Sequence, residues 1–180
     1  DEYGYVEAEE LVRKYKGLMH LIEAMPEIIK SVDNIKLFIV GDFGKDKQEY
    51  FSKIKALDLE DYIVIRDGYV PDEEVEPYFA AADLNVCPYE SATQSGILQI
   101  SFGFGVPAVV TNVGGLPEVV KDKKTGYVIE SKNSYEIAKA VKDYFNNNRE
   151  EDMRQAVLDD SDRFSWERMT ETIEDLWNQI

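Results

Sequence analysis

The chain has 180 residues, 44% hydrophobic and 12% aromatic, enough to bury the core of one domain and too apolar for a disordered chain. A net charge of −16, from 36 acidic against 20 basic residues, excludes the broad basic surface that nucleic acids and anionic membranes require. It does not exclude a small anion held inside a cleft, where a few cations and helix N-termini act locally.

In chain order, Tyr3 to Val6 is a candidate first strand, but Glu7 to Leu11 prefers helix. The segment Arg13-Lys-Tyr-Lys-Gly17 precedes a long helix whose Leu18, Leu21, Ile22, Met25, Ile28 and Ile29 recur at helical spacing. Arg13 offers a planar fork to phosphate and Lys16 a point charge. From these residues alone the pair reads equally as two solvated cations on an acidic surface. His20, the single histidine, is off the apolar stripe and reads as a surface residue. Short β-branched runs follow at residues 36–40, 62–65, Leu84–Cys87, 107–111 and Gly126–Ile129, nearly continuous in hydrophobicity, as buried parallel strands are. Between them lie helical patterns: Tyr50, Phe51, Ile54 and Leu57, then residues 72–82, 95–103, 134–146 and 150–160. A last helix is expected over 165–179, with Phe164-Ser-Trp166 at its start. Cys87, alone of its kind, leaves no internal disulfide, fits a reducing compartment and reads as a small buried apolar residue. One His and one Cys make no zinc site of the usual kind.

Strand alternating with helix predicts an α/β, Rossmann-like doubly wound parallel sheet over residues 1–180 as one domain. Its strand C-termini share one rim, where ligands bind in such sheets. The rim collects Gly41-Asp-Phe-Gly44, then Arg66 to Val70, then Pro88 to Gly96, then Asn112-Val-Gly-Gly115. In Ala92-Thr-Gln-Ser-Gly96, Thr93 or Ser95 can cap the next helix and Gly96 lets a ligand reach the backbone. The same residues suit an ordinary capped helix with no ligand. Glu118 follows Pro117 in the first turn of a short helix, where the helix dipole stabilises a carboxylate. No GxSxG, Walker A or GxGxxG pattern is present, which disfavours serine hydrolysis and P-loop phosphoryl transfer. Asp42 and Asp83 do not form the aspartate cluster of a receiver-like signalling domain.

These pieces in this order resemble the C-terminal, donor-binding domain of GT-B fold glycosyltransferases, specifically glycosyltransferase family 4. The resemblance runs from Arg13 to the final helix. It is carried by Arg13-Lys-Tyr-Lys-Gly-Leu18, Ile39-Val-Gly-Asp42, the run from Gly105 to Glu118 containing Val113-Gly-Gly-Leu-Pro-Glu118, and Phe164-Ser-Trp166. Two positions depart from it: family members commonly carry two glutamates eight apart, and here those places hold Ala92 and Ile100. The sequence resembles instead a subgroup with Ala-Thr-Gln-Ser-Gly there, in which Glu90, Thr93, Gln94 or Gln99 can substitute. The acidic stretch from Glu7 to Leu11 also replaces a short glycine-rich turn.

The resemblance implies donor binding in a retaining, metal-independent glycosyltransferase that uses a nucleoside diphosphate sugar and no cofactor. Arg13 and Lys16 would be catalytic, holding the diphosphate with the amides near Ser95, Gly96 and Ile97. The base, of UDP or GDP type, would lie near Gly41, Tyr69 and Val70, and the sugar near Thr93, Gln94 and Glu118. The chain would be half of a GT-B protein and inactive by itself. A missing N-terminal Rossmann-like half would bring a sugar or lipid-linked acceptor, in the cytoplasm or at the membrane periphery. A non-catalytic nucleotide or phosphosugar binding module is the alternative, motivated by the two lost glutamates.

Overall fold

A computed structural model describes residues 4–9 and 12–160, together with Thr170, Glu174 and Trp177. Six strands are seen: β1 (Gly4–Glu9), β2 (Ile35–Gly41), β3 (Ile63–Asp67), β4 (Leu84–Cys87), β5 (Ala108–Thr111) and β6 (Gly126–Ile129). All neighbours pair in parallel, in the order β3-β2-β1-β4-β5-β6. The helices are α1 (Leu18–Ile28), α2 (Lys47–Ala56), α3 (Asp72–Ala81), α4 (Gly96–Gly103), α5 (Leu116–Val119), α6 (Ser134–Asn146) and α7 (Glu150–Asp160). The expected helix over 165–179 and its Phe164-Ser-Trp166 start lie outside the described residues, except that Thr170, Glu174 and Trp177 are helical. No helix among the described residues is long and apolar enough to cross a membrane.

The expectation for Glu7 to Leu11 is corrected as far as Glu9. Residues 7–9 are strand, continuing β1 into the middle of the sheet. Glutamate favours helix by a few tenths of a kcal/mol per residue. Pairing with β2 along all six residues of β1 and with β4 at Val6 and Glu7 outweighs it. Such local preferences yield whenever a segment has sheet partners on both sides.

Two clusters of side chains sandwich the sheet. On one face Leu37, Ile39, Leu84, Val86 and Val109 pack under Leu21, Ile22 and Met25 of α1 and Ala138, Val141 and Tyr144 of α6. On the other, Cys87, Ala108 and Val110 meet Phe79 of α3, Leu98 and Phe102 of α4, and Leu116 of α5. Both faces are thus covered, which is why β4 and β5 are buried at every residue. Cys87 is buried, as its composition implied. The Tyr144 hydroxyl donates to the Asp83 carbonyl at 2.7 Å, and burial pushes its pKa up, so the phenol stays neutral.

The chain winds outward from β1 through β2 to β3. Then α3 carries it back to β4, beside β1 on the other side, and it winds away through β5 and β6. The direction of winding therefore reverses between β1 and β4. The loops leaving those two strands diverge to opposite faces and open a crevice at the C-terminal rim.

Candidate functional site

The crevice is built from two segments. After β1, Lys14–Lys16 forms one 3-10 turn that Gly17 ends at φ 70°. After β4, residues 88–95 lead to α4. They are joined by backbone: the Glu90 N–H donates to the Tyr15 carbonyl at 2.6 Å. At Gly17 the approach is closer still, since a Cβ there would come within 1.9 Å of the Pro88 carbonyl oxygen. The loop after β5 closes the other side. The Gly115 N–H donates to the Thr93 carbonyl at 2.9 Å, and a Cβ on Gly114, at φ 51°, would sit 1.7 Å from the Ala92 carbonyl oxygen. The Thr111 hydroxyl donates to the Tyr89 carbonyl at 2.6 Å. The two glycine-bearing loops of the sequence are one interlocked rim.

Between these segments lies a cavity of about 440 Å³. Tyr15 and Lys16 line it from the β1 side, and Tyr89 with residues 91–96 from the β4 side. Among the described residues its one charged lining side chain is Lys16, and no described carboxylate lies in its wall. Lys16 is only 9% exposed, and its ammonium lies 5.8 Å from the centre of the Tyr89 ring. Lys14 turns away to Glu49 and Asp46, 3.1 Å and 3.9 Å distant, and the Glu49 hydrogen bond raises its pKa. Arg13 is exposed at the start of the turn, outside the cavity lining, with no ion pair to any described residue.

The N-terminus of α4 opens on the same space. Ser95 caps the helix, its Oγ accepting from the Leu98 N–H at 3.4 Å. The amides of Gly96 and Ile97 precede it in the first turn, where N–H groups have no intrahelical acceptor. No heavy atom lies within 4 Å of where a Gly96 Cβ would project, so that backbone is open to approach. An anion in the cavity would meet these dipoles on one side and the Lys16 ammonium on the other.

The remaining expected site residues fall elsewhere on the rim. Gly41 ends β2, its carbonyl accepting from the Gly68 N–H at 3.1 Å. Tyr69 is exposed and Val70 half-buried in the loop after β3. The Asp67 carboxylate braces these loops by accepting from Lys47 and from the Phe43 N–H. Ile97 turns its side chain into the core, which leaves its amide as its means of reaching a ligand. Glu118 is exposed in the first turn of α5 and is not part of the cavity lining. Of the proposed stand-ins for the lost glutamates, Thr93 and Gln94 line the cavity, and Gln99 is exposed on α4 outside its lining.

Glu90 is turned to another use. Its carboxylate lies 3.1 Å from His20 Nε2 on α1 and 2.9 Å from Lys132 Nζ after β6. His20 is therefore half-buried and bonded, not the free surface residue its helical phase suggested. The Lys132 ammonium, and after it His20, hold the Glu90 carboxyl below the usual range. A lowered folded pKa contributes stability above the unfolded value, about 4.3, that is lost as pH falls through the folded value. The melting temperature of Glu90→Gln is thus expected below wild type near pH 6, the gap closing as pH drops below about 4. A gap constant between pH 6 and 3 would show that the ion pairs contribute nothing.

The sequence reading missed Tyr15, Tyr89 and Ser91 as cavity walls. Tyr15 sits inside the very segment singled out for its cations, and an exposed aromatic between two cations was the signal available.

The chain matches the family described as glycosyl transferases group 1 over residues 8–147. It is 31% identical over 135 residues to the N-acetyl-alpha-D-glucosaminyl L-malate synthase of Bacillus anthracis, covering 72% of this chain and 34% of that protein. It is 32% identical to the GDP-mannose-dependent alpha-(1-6)-phosphatidylinositol monomannoside mannosyltransferase of Mycolicibacterium smegmatis, over 71% of this chain and 35% of the relative. Among solved structures, Anabaena Alr3699/HepE in complex with UDP-glucose superposes with a TM-score of 0.83 at 20% identity, over 99% of this chain and 50% of the other. The C-terminal domain of LpcC, a glycosyl transferase group 1 family protein from Francisella tularensis, gives 0.82 at 22% identity, over 92% of this chain and 87% of that one. The chain spans about a third of the length of the curated relatives named here. With the expected doubly wound fold in place and the family match running from β1 to the end of α6, the chain belongs to the group 1 glycosyl transferases.

Proposed function

We propose that the chain is the C-terminal, donor-binding half of a retaining, metal-independent glycosyltransferase that takes a sugar from a nucleoside diphosphate sugar. One observation carries this reading. The reversal of winding between β1 and β4 brings a nearly buried ammonium, a helix N-terminus and a wall with no carboxylate among the described residues to one cavity. The diphosphate lies against Lys16, with Arg13 reaching in from the turn and the Gly96 and Ile97 amides opposite. The base extends toward Gly41, Tyr69 and Val70. The sugar faces Thr93 and Gln94, with Glu118 closing on it from α5. As the bond from the anomeric carbon to the diphosphate oxygen breaks, negative charge gathers on the departing diphosphate. Cations and amides already aimed at it lower the barrier without rearranging. The acceptor hydroxyl, held by the other half of the protein, attacks on the face the diphosphate leaves and gives its proton to the departing diphosphate oxygen, which retains configuration at the anomeric carbon. By itself this half has no acceptor site and turns nothing over. The protein works in a reducing compartment, the cytoplasm, or at the membrane periphery through its other half.

A GDP-mannose-dependent enzyme and a UDP-glucose complex both stand among the similar proteins, so both bases belong in the test. Calorimetric titration with UDP, GDP, ADP and inorganic pyrophosphate is expected to give saturable binding of one nucleoside diphosphate. Binding of none, by this chain and by the full-length protein alike, would sink the reading. The lining by Ala92, where the resemblance led one to expect a carboxylate, favours one second reading, a module that binds nucleotide sugar without transfer. Donor binding by the full-length protein without turnover across many acceptors would select it.

A further inference from the structure

We propose that Tyr15 is a sugar-contacting residue at this site, its ring forming the apolar wall against which the pyranose of a bound nucleotide sugar lies. The inference rests on the donor-site reading above and deepens it.

Tyr15 is 47% exposed, a large aromatic left open to water, yet it is held from two sides. Its carbonyl accepts the Glu90 N–H. Its ring meets that of Tyr89 edge-on, with centroids 6.4 Å apart and planes at 81°. Tyr89 is itself buried, with its hydroxyl 3.4 Å from Ser95 Oγ. The exposed ring is therefore ordered before any ligand arrives, and little conformational entropy remains to be lost on stacking.

The cavity beneath it is made for a molecule with two kinds of surface. Ser91, Thr93 and Gln94 offer neutral donors and acceptors opposite the ring. A pyranose presents hydroxyls around its edge and a patch of C–H groups on its face. The hydroxyls suit the β4 side and the patch suits Tyr15. Position along the chain agrees: Tyr15 adjoins Lys16 in one turn, and both line the cavity in which a phosphate would meet Lys16. A nucleobase would also stack on an aromatic, but the base lies toward β2 and β3 in the donor-site reading, on the far side of β1 from this cavity.

The test compares two ratios in Tyr15→Phe and Tyr15→Ala. The probes are the nucleoside diphosphate that wild type binds and the tightest of UDP-glucose, UDP-N-acetylglucosamine and GDP-mannose. Tyr15→Ala is expected to weaken the nucleotide sugar about fivefold to tenfold while leaving the diphosphate within about twofold. Tyr15→Phe, which keeps the ring, is expected to match wild type on both. Equal losses of sugar-bearing and sugar-free ligand would overturn the proposal, since the ring would then serve the nucleotide. So would a Tyr15→Phe loss as large as that of Tyr15→Ala, which would make the hydroxyl the functional group, or no loss in either variant. If neither this chain nor the full-length protein binds any nucleoside diphosphate or nucleotide sugar, the donor-site reading fails and this inference falls with it. Wild-type binding untouched by Tyr15→Ala overturns only the inference.

Discussion

Replacing Gly17 by alanine is expected to lower stability by more than about 3 kcal/mol, which for a chain of this size is a fall in melting temperature of roughly 10 °C. Two costs add. At φ 70° an L side chain sits in the left-handed region, a penalty of about 1 kcal/mol or more. The new Cβ also lands 1.9 Å from the Pro88 carbonyl oxygen. That atom belongs to backbone at the end of β4 and cannot swing aside as a side-chain tip would. Relief requires the turn carrying Lys16 to part from the loop carrying Ser95, which strains the 2.6 Å bond between Tyr15 and Glu90. Stability and ligand binding should therefore fall together. Gly103→Ala is the control. It lies in α4 with open space where its Cβ would go, and is expected to be neutral or stabilising by up to about 1 kcal/mol. Thermal melts of the two variants check the argument. Equal melting temperatures would mean that the contact at Gly17 relaxes at no cost.

Lys16→Met is expected to weaken binding of the nucleoside diphosphate by about tenfold to a hundredfold, the range for losing a charge-assisted hydrogen bond. Methionine keeps an apolar stem against Tyr89, so the wall survives and the charge alone is removed. The corresponding nucleoside, lacking phosphate, should bind the variant and wild type alike. In the full-length protein, turnover should fall further than affinity, by about a hundredfold to a thousandfold, because charge on the leaving diphosphate is greatest in the transition state. Titration and steady-state rates on the same variant separate the two effects. A variant that loses nucleoside and nucleoside diphosphate equally would mark Lys16 as structural.

Much of this architecture is legible in the chain. The runs at Leu84–Cys87 and Gly126–Ile129 are strands at those bounds, β2 and β3 differ from their predicted runs by one or two residues at each end, and β5 by one residue at its start. Buried parallel strands announce themselves because both faces must be apolar. β1 does so in its first half only, where the candidate strand ends at Val6; beyond it Glu7 and Glu9 break the pattern, and neighbours distant in sequence keep residues 7–9 in the strand. Within the candidate site, Lys16, Thr93, Gln94, Ser95 and Gly96 line one cavity. Tyr15 escaped notice because one exposed aromatic has no periodicity. The pairing of Glu90 is illegible for a different reason. Its partners His20 and Lys132 lie on α1 and after β6, and no spacing along the chain reveals that three rim segments converge on one carboxylate.

The join between β1 and β4 has a mechanical side. β1 meets β2 along six register pairs but β4 along two, Val6 with Leu84 and Glu7 with Asn85. The sheet is thus two three-stranded halves with a short seam between them, bridged on one face by the packing of α1 on α6. The cavity lies across the C-terminal end of that seam, with Lys16 on one half and α4 on the other. An anion gripping both works as a staple, and it draws the halves together where the backbone ladder is thinnest. Occupancy is then felt as rigidity: amides along β4 would exchange with solvent more slowly as the seam is clamped, on a timescale set by ligand departure.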